Sequence, residues 1–264
     1  MSRVRIPHLQ KAYREGRRLT MLTAYDATVA PLLEAAGVDM LLVGDSLGNV
    51  ALGHQSTLPV ELSDMIRSTE AVARSTTRPL IVTDLPFGSF EQGTAQAFGS
   101  AATLLKAGAQ AVKMEGGAER AHLIRFLVEN GIPVMGHLGY TPQAENALGG
   151  PRLQGKGELG DKLLADAHAV AEAGAFGLVL EMVPASLARR VTEELDIPTI
   201  GIGAGPDCSG QVLVWADMAG MGAWSPSFAR RFGEVGQALT EAARAYVEET
   251  QAGTFPGPDH YRES

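Results

Sequence analysis

The sequence predicts an α/β chain whose parallel strands close into a (β/α)8 barrel, on three observations. Short, nearly continuous apolar runs alternate with segments of helical period along most of the chain, the pattern of strands buried on both faces beneath helices. Eight such runs are present, and 264 residues suit one barrel without remainder. Four runs end in an acid: VDMLLVGDSLG from Val38 to Gly48, LIVTD from Leu80 to Asp84, GAQAVKMEG from Gly108 to Gly116 and GAFGLVLEM from Gly174 to Met182. One acid after an apolar run is commonly a helix cap or a solvated loop residue. Asp45, Asp84, Glu115 and Glu181, at equivalent places, are harder to read that way.

Leu19 to Tyr25 is the first strand, and Ala27 to Ala36 keeps helical spacing up to Gly37. Further strands fall at 40–44, 80–84, 111–115, 133–138, 177–181, 198–202 and 211–215, with helices near 61–75, 94–107, 118–129, 160–173 and 185–195. Gly37, Gly108, Gly174 and the Asn130-Gly131 pair stand where left-handed helix caps belong. A doubly wound open sheet is the alternative fold. It would carry a glycine-rich phosphate turn after the first strand, where this chain has Ala24-Tyr25-Asp26-Ala27. The GIGAG turn at 201–205 follows the seventh strand instead, a place that binds phosphate in some barrels and needs glycine for tight rim packing in others. Gly139 to Gly160 is too long for a plain connector and is expected to be a lid or interface segment on the active face. Phe228 to Glu249 reads as a long helix. Residues 1–264 are therefore expected to form a single barrel domain with a C-terminal helical arm at about 228–252, closing the barrel or reaching a neighbouring subunit.

A net charge of −8 opposes binding to a phosphate backbone, so nucleic acid is not an expected partner. No run approaches the roughly 18 apolar residues of a membrane span, and the opening MSRVRIPHLQKAYREGRR lacks the apolar core of a signal peptide. Cys208, the single cysteine, cannot form an intrachain disulfide. No membrane partner and a cytoplasmic location are expected.

In a barrel the carboxyl ends of the strands converge, so the four acids should meet on one face. Four unpaired carboxylates cannot share a pocket. Either some are protonated or a cation lies among them, and oxygen donors suit Mg2+ or a similar divalent ion; a buried salt-bridge network is the alternative. No Cys or His cluster supports a structural zinc. Lys113, two residues before Glu115, faces the same side of its strand, where it either meets an anionic substrate or neutralises the acids. His137 closes the fifth strand as a hydrogen-bonding residue or a catalyst. Ser46 either hydrogen-bonds beside the metal or caps a helix, and His54 in GHQSTLP reads as a loop residue.

LTAYD, LLVGDSLG, GHQSTLPV, TDLPF, AVKMEGG, GHLGYTPQ, LVLEMVP and GIGAG followed by GQVLV, in that order, resemble the ketopantoate hydroxymethyltransferase family over nearly the whole chain. The resemblance implies a TIM barrel of the phosphoenolpyruvate-binding type and Mg2+ or another divalent ion. It also implies 5,10-methylenetetrahydrofolate as one-carbon donor and 3-methyl-2-oxobutanoate as acceptor, giving 2-dehydropantoate (ketopantoate) in pantothenate synthesis. Carried over motif by motif, Asp45, Asp84 and Glu115 look like the metal acids, Ser46 and Lys113 like substrate contacts beside Asp45 and Asp84, His137 like an active-site hydrogen-bond partner and Glu181 like the base. A homodecamer built from dimers is implied as well. The mechanism expected on these grounds has the 2-oxo acid chelating the ion and Glu181 removing the C3 proton. The enolate then attacks the folate-borne carbon while Lys113 balances its charge.

Ser209 and Ser227 stand where many relatives have Asp and Lys, which leaves open the loop after the seventh strand and the start of the last helix, where folate or a neighbouring subunit could be contacted. The enzymatic rival is a lyase of the isocitrate lyase type, but those enzymes carry a catalytic cysteine on a mobile loop and Cys208 lies in no such motif. A non-catalytic metabolite-binding barrel is the rival of another class, and proton exchange at carbon separates the two.

Overall fold

In the computed structural model, which describes residues 3–262, eight parallel strands close into a barrel in sequence order. They are β1 Leu19–Thr23, β2 Met40–Val43, β3 Leu80–Asp84, β4 Ala111–Glu115, β5 Val134–Gly139, β6 Gly177–Glu181, β7 Thr199–Ile202 and β8 Gly210–Leu213. Every residue of β2, β3 and β4 is buried, which is why these segments read as unbroken apolar runs. Helices Leu62–Ser75, Thr94–Ala107, Ala121–Glu129, Leu159–Glu172 and Ala185–Glu194 cover the outside close to their expected spans. Gly108 ends its helix at φ +116°, and a Cβ there would stand 2.5 Å from that of Ala73, so both backbone sign and space require glycine.

The structure departs from the sequence reading in four places. The helix Ile6–Arg14, not expected, lies under the N-terminal ends of the strands. Leu9 and Ala12 are its buried residues, too few to mark a periodic face, and the Tyr13 hydroxyl donates to the carbonyl of Leu195 at 3.1 Å. The strand expected at 211–215 ends at Leu213, and Trp215 opens the short helix Trp215–Ala219; the apolar run VLVWA fits either state. The last helix is Val235–Gln251, not a helix from Phe228, because Gly233 interrupts the stretch between them. Ser209 does not lie on the active face. It sits just before β8, buried, accepting the N–H of Thr199 at 3.2 Å and donating its own N–H to the Thr199 hydroxyl at 3.2 Å. There it joins the starts of β7 and β8 at the end of the barrel away from the acids. Ser227 is exposed in a turn that precedes the last helix.

By internal packing the chain divides into two compact units, the first ending at Val214 and the second beginning at Trp215. The barrel is in the first. Among the described residues no helix is long and apolar enough to cross a membrane.

Candidate active site

Parallel register and strand stagger set the chemistry. Asp84 pairs with Lys113 across β3 and β4, Glu115 with His137 across β4 and β5, and Gly139 with Glu181 across β5 and β6. Asp84, Glu115 and Glu181 are the last residues of their strands and Asp45 lies just past Val43, so all four acids reach the C-terminal mouth. The Lys113 ammonium is 3.1 Å from Asp84 Oδ1, 4.0 Å from Glu115 Oε1 and 2.9 Å from His137 Nδ1. Across the imidazole, Nε2 is 3.3 Å from Glu181 Oε2. His137 Nδ1 is also 3.2 Å from Glu115 Oε1, so it stands between an ammonium and a carboxylate, while Nε2 has no aligned hydrogen-bond partner. The side chains of Lys113, Asp84, Glu115 and His137 are at most 5% exposed, whereas that of Glu181 is 16% exposed. The carboxylate at the solvent edge is thus the one that ends the chain of contacts.

Two residues with no role assigned from sequence complete the cluster. Gln143, in the short 3-10 turn Pro142–Ala144 of the long loop, donates its amide to Asp45 Oδ2 at 2.8 Å and to the carbonyl of Leu85 at 2.9 Å, and its backbone N–H to Glu115 Oε2 at 3.0 Å. Its Oε1 is buried without a partner. Tyr25 places its hydroxyl 2.7 Å from Ser46 Oγ. Ser46 precedes the helix Leu47–Val50 but makes no capping bond, so its side chain belongs to the cluster. The only signal for either residue was membership of the motifs LTAYD and GHLGYTPQ. His54 stays in its loop, its carbonyl held by Asn49. In the GIGAG turn, a Cβ at Gly205 would meet that of Ala185 at 2.5 Å, which explains the glycine by packing.

The chain matches the family model described as ketopantoate hydroxymethyltransferase over residues 3–258. The chain belongs to the ketopantoate hydroxymethyltransferase family. Among its relatives, the 3-methyl-2-oxobutanoate hydroxymethyltransferase of Leifsonia xyli subsp. xyli is 52% identical over 260 residues, 98% of this chain and 94% of that protein. The enzyme of the same name from Ignicoccus hospitalis is 50% identical over 262 residues, 99% of this chain and all of that one. Solved structures share the fold at low identity. Phosphonopyruvate hydrolase in complex with oxalate and Mg++ gives a TM-score of 0.64 at 15% identity, over 98% of this chain and 93% of that one. 2,3-Dimethylmalate lyase, a PEP mutase/isocitrate lyase superfamily member, gives 0.61 at 16%, over 100% and 93%.

In this member of the ketopantoate hydroxymethyltransferase family the acids outnumber the cations. Burial raises the Asp45 carboxyl well above its ordinary value, and the neighbouring Asp84 adds to the rise. Burial pushes Glu115 up to about 7, against the opposing pull of Lys113. Lys113 resists its own desolvation because Asp84, Glu115 and Asp45 hold its proton above the usual lysine value. His137 is lowered, by burial and then by Lys113, and is neutral. Three buried carboxyls against one ammonium leave room for two positive charges, and Asp84 Oδ1 and Glu115 Oε1 have no aligned hydrogen-bond donor. Hard oxygen donors and this surplus charge fit a divalent ion such as Mg2+. Among the described residues no group of three or more His, Cys, Asp or Glu side chains is placed to hold a metal ion by itself.

Proposed function

We propose that this chain transfers a hydroxymethyl unit from 5,10-methylenetetrahydrofolate to 3-methyl-2-oxobutanoate, giving 2-dehydropantoate for pantothenate synthesis in the cytoplasm. Asp45, Asp84 and Glu115 would hold Mg2+ or a similar divalent ion. The observation that carries this reading is the line of contacts from Asp84 through Lys113 and His137 to Glu181, with a buried positive charge at one end and a solvent-edge carboxylate at the other. Family membership supports the acceptor, which the relatives' name specifies.

A divalent ion bound at these acids supplies Lewis-acid polarisation of the acceptor's keto and carboxylate oxygens. Lys113 keeps its charge in the dry cluster and offsets the negative charge that develops there. Ser46, backed by Tyr25, offers a hydroxyl to the bound oxo acid. Glu181 takes the proton from C3, with the His137 imidazole 3.3 Å away beside that carboxylate. The electron pair left at C3 forms the new bond to the methylene carbon as this carbon leaves the folate nitrogens. Water supplies the hydroxyl group, and its other hydrogen and the proton taken by Glu181 go to the two folate nitrogens, releasing tetrahydrofolate.

Purified protein given both substrates should form 2-dehydropantoate, lose that activity in excess chelator and regain it with Mg2+. Full turnover in chelator would exclude the ion, and no product from the metal-loaded protein would exclude the transferase. We further propose self-association, up to a decamer built from dimers, supported by the 17-residue helix Val235–Gln251, none of whose residues is buried.

A further inference from the structure

We infer that the one-carbon carrier docks in the cleft between the loops that follow β2, β3, β4 and β5, with its flat bicyclic ring against Phe87. This rests on the transferase reading and names the subsite of its second substrate. A cavity of about 420 Å3 opens there, within the range that holds ligands of drug size and several times the volume of a five-carbon oxo acid. Glu115 and Gln143, both members of the acid cluster, line it together with Leu58, Phe87 and Phe90. One end of the cavity is therefore the chemistry, and the rest mixes apolar side chains with the polar Glu91, Glu119 and Arg120.

Three observations point to a planar, hydrogen-bonding heterocycle as the occupant. A second cavity of about 370 Å3 also borders Thr141, but none of Asp45, Asp84, Lys113, Glu115, His137 or Glu181 lines it, so a carrier held there could not present its carbon to C3. Phe87, three residues past Asp84, is 51% exposed, whereas Leu85 and Phe90 beside it are buried. An open ring at the mouth of a cleft is a stacking surface. The amino-oxo-pyrimidine edge of a pterin presents N–H donors, which a carboxylate accepts well. Glu91 and Glu119, both lining the cleft, each accept one backbone N–H, of Phe90 at 3.1 Å and of Gly117 at 2.9 Å. The other oxygen of each has no hydrogen-bond partner among the described residues.

The test compares wild type, Phe87→Ala and Phe87→Trp in two assays. One gives the KM for 5,10-methylenetetrahydrofolate in the transfer; the other gives exchange of the C3 hydrogen of 3-methyl-2-oxobutanoate with deuterium oxide in the absence of folate. In Phe87→Ala the folate KM should rise about tenfold or more, the size of losing one stacked ring. Exchange and the oxo-acid KM should stay within about twofold, and Phe87→Trp should restore the folate KM. Because Phe87 is half exposed, its truncation leaves the fold in place. A folate KM unchanged in Phe87→Ala overturns the subsite, and so does an equal loss of exchange and transfer, since Phe87 would then act through the acid cluster. Wild-type protein with neither exchange nor transfer refutes the transferase reading itself, a result distinct from either of these.

Discussion

Lys113 is 4% exposed and stands among three carboxyls, so its charge and theirs are interdependent. Removing one partner of a buried ion pair strands the rest, at about 3–5 kcal/mol. Lys113→Met should therefore lower stability by that order in urea unfolding with chelator present, and added Mg2+ should recover part of the loss by binding the folded state. An unfolding midpoint equal to that of the wild type would show that the acids are already neutral without Lys113. The acids were legible in the sequence because each ends an apolar run, and strand parity gave Lys113. Gln143 was not legible. Its partners Glu115, Leu85 and Asp45 are 28, 58 and 98 positions away, and a loop that doubles back into the barrel mouth leaves no periodic trace.

Between elements, two devices fix the barrel ends. At the N-terminal end Asp39 joins β1 to β2: both its oxygens accept from Arg17 at 3.0 Å, and Oδ2 also accepts the Thr20 N–H at 3.0 Å. Burial pushes the Asp39 carboxyl up, but the bonds from Arg17 and Thr20 outweigh it and the net position is below the ordinary value. A carboxyl lowered in the folded state stabilises fully above its unfolded value, about 3.9, and loses that contribution as pH falls through the folded value. The gap in urea midpoint between wild type and Asp39→Asn should thus be constant near pH 6 and shrink below about pH 4. A gap independent of pH would contradict this. At the C-terminal end Gly139 has φ +96°, a Cβ there would run into the carbonyl oxygen of Glu181, and the next N–H, that of Tyr140, donates to the same oxygen at 2.7 Å. Gly139→Ala should destabilise by more than about 1 kcal/mol in thermal unfolding, since both sign of φ and space are wrong for alanine. An unchanged melting temperature would show that the β5 and β6 ends can separate freely. Helix termini at Gly108 and Gly174 were readable because glycine is required by local geometry. The start of the last helix was not, because helical spacing after Phe228 continues through Gly233, which stops the helix from forming there.

Each unit has exposed surface. In the barrel unit the register partners Thr20 and Gln211 of β1 and β8 are both exposed, and residues 203–209 join β7 to β8 without a helix. In the second unit Val235, Leu239 and Tyr246 are exposed and fall on one stripe of the helix Val235–Gln251. Open faces of both kinds are expected to be covered by further copies of the chain. Light scattering should give a mass several times 27.8 kDa, and a stable monomer at micromolar concentration would refute self-association. The sequence suggested association through the length of the last helix and the family resemblance, but not which faces remain uncovered, because that depends on how the whole chain folds. For the barrel unit, the question is whether eight strands deliver a proton-abstracting carboxylate to a buried acid cluster. The decisive measurement is folate-independent exchange of the C3 hydrogen of 3-methyl-2-oxobutanoate with deuterium oxide, in wild type and in Glu181→Gln, both loaded with Mg2+. Exchange should fall about a hundredfold or more in the variant, while calorimetry shows the oxo acid still bound. Exchange at the wild-type rate in Glu181→Gln would contradict the assignment and move the base to His137.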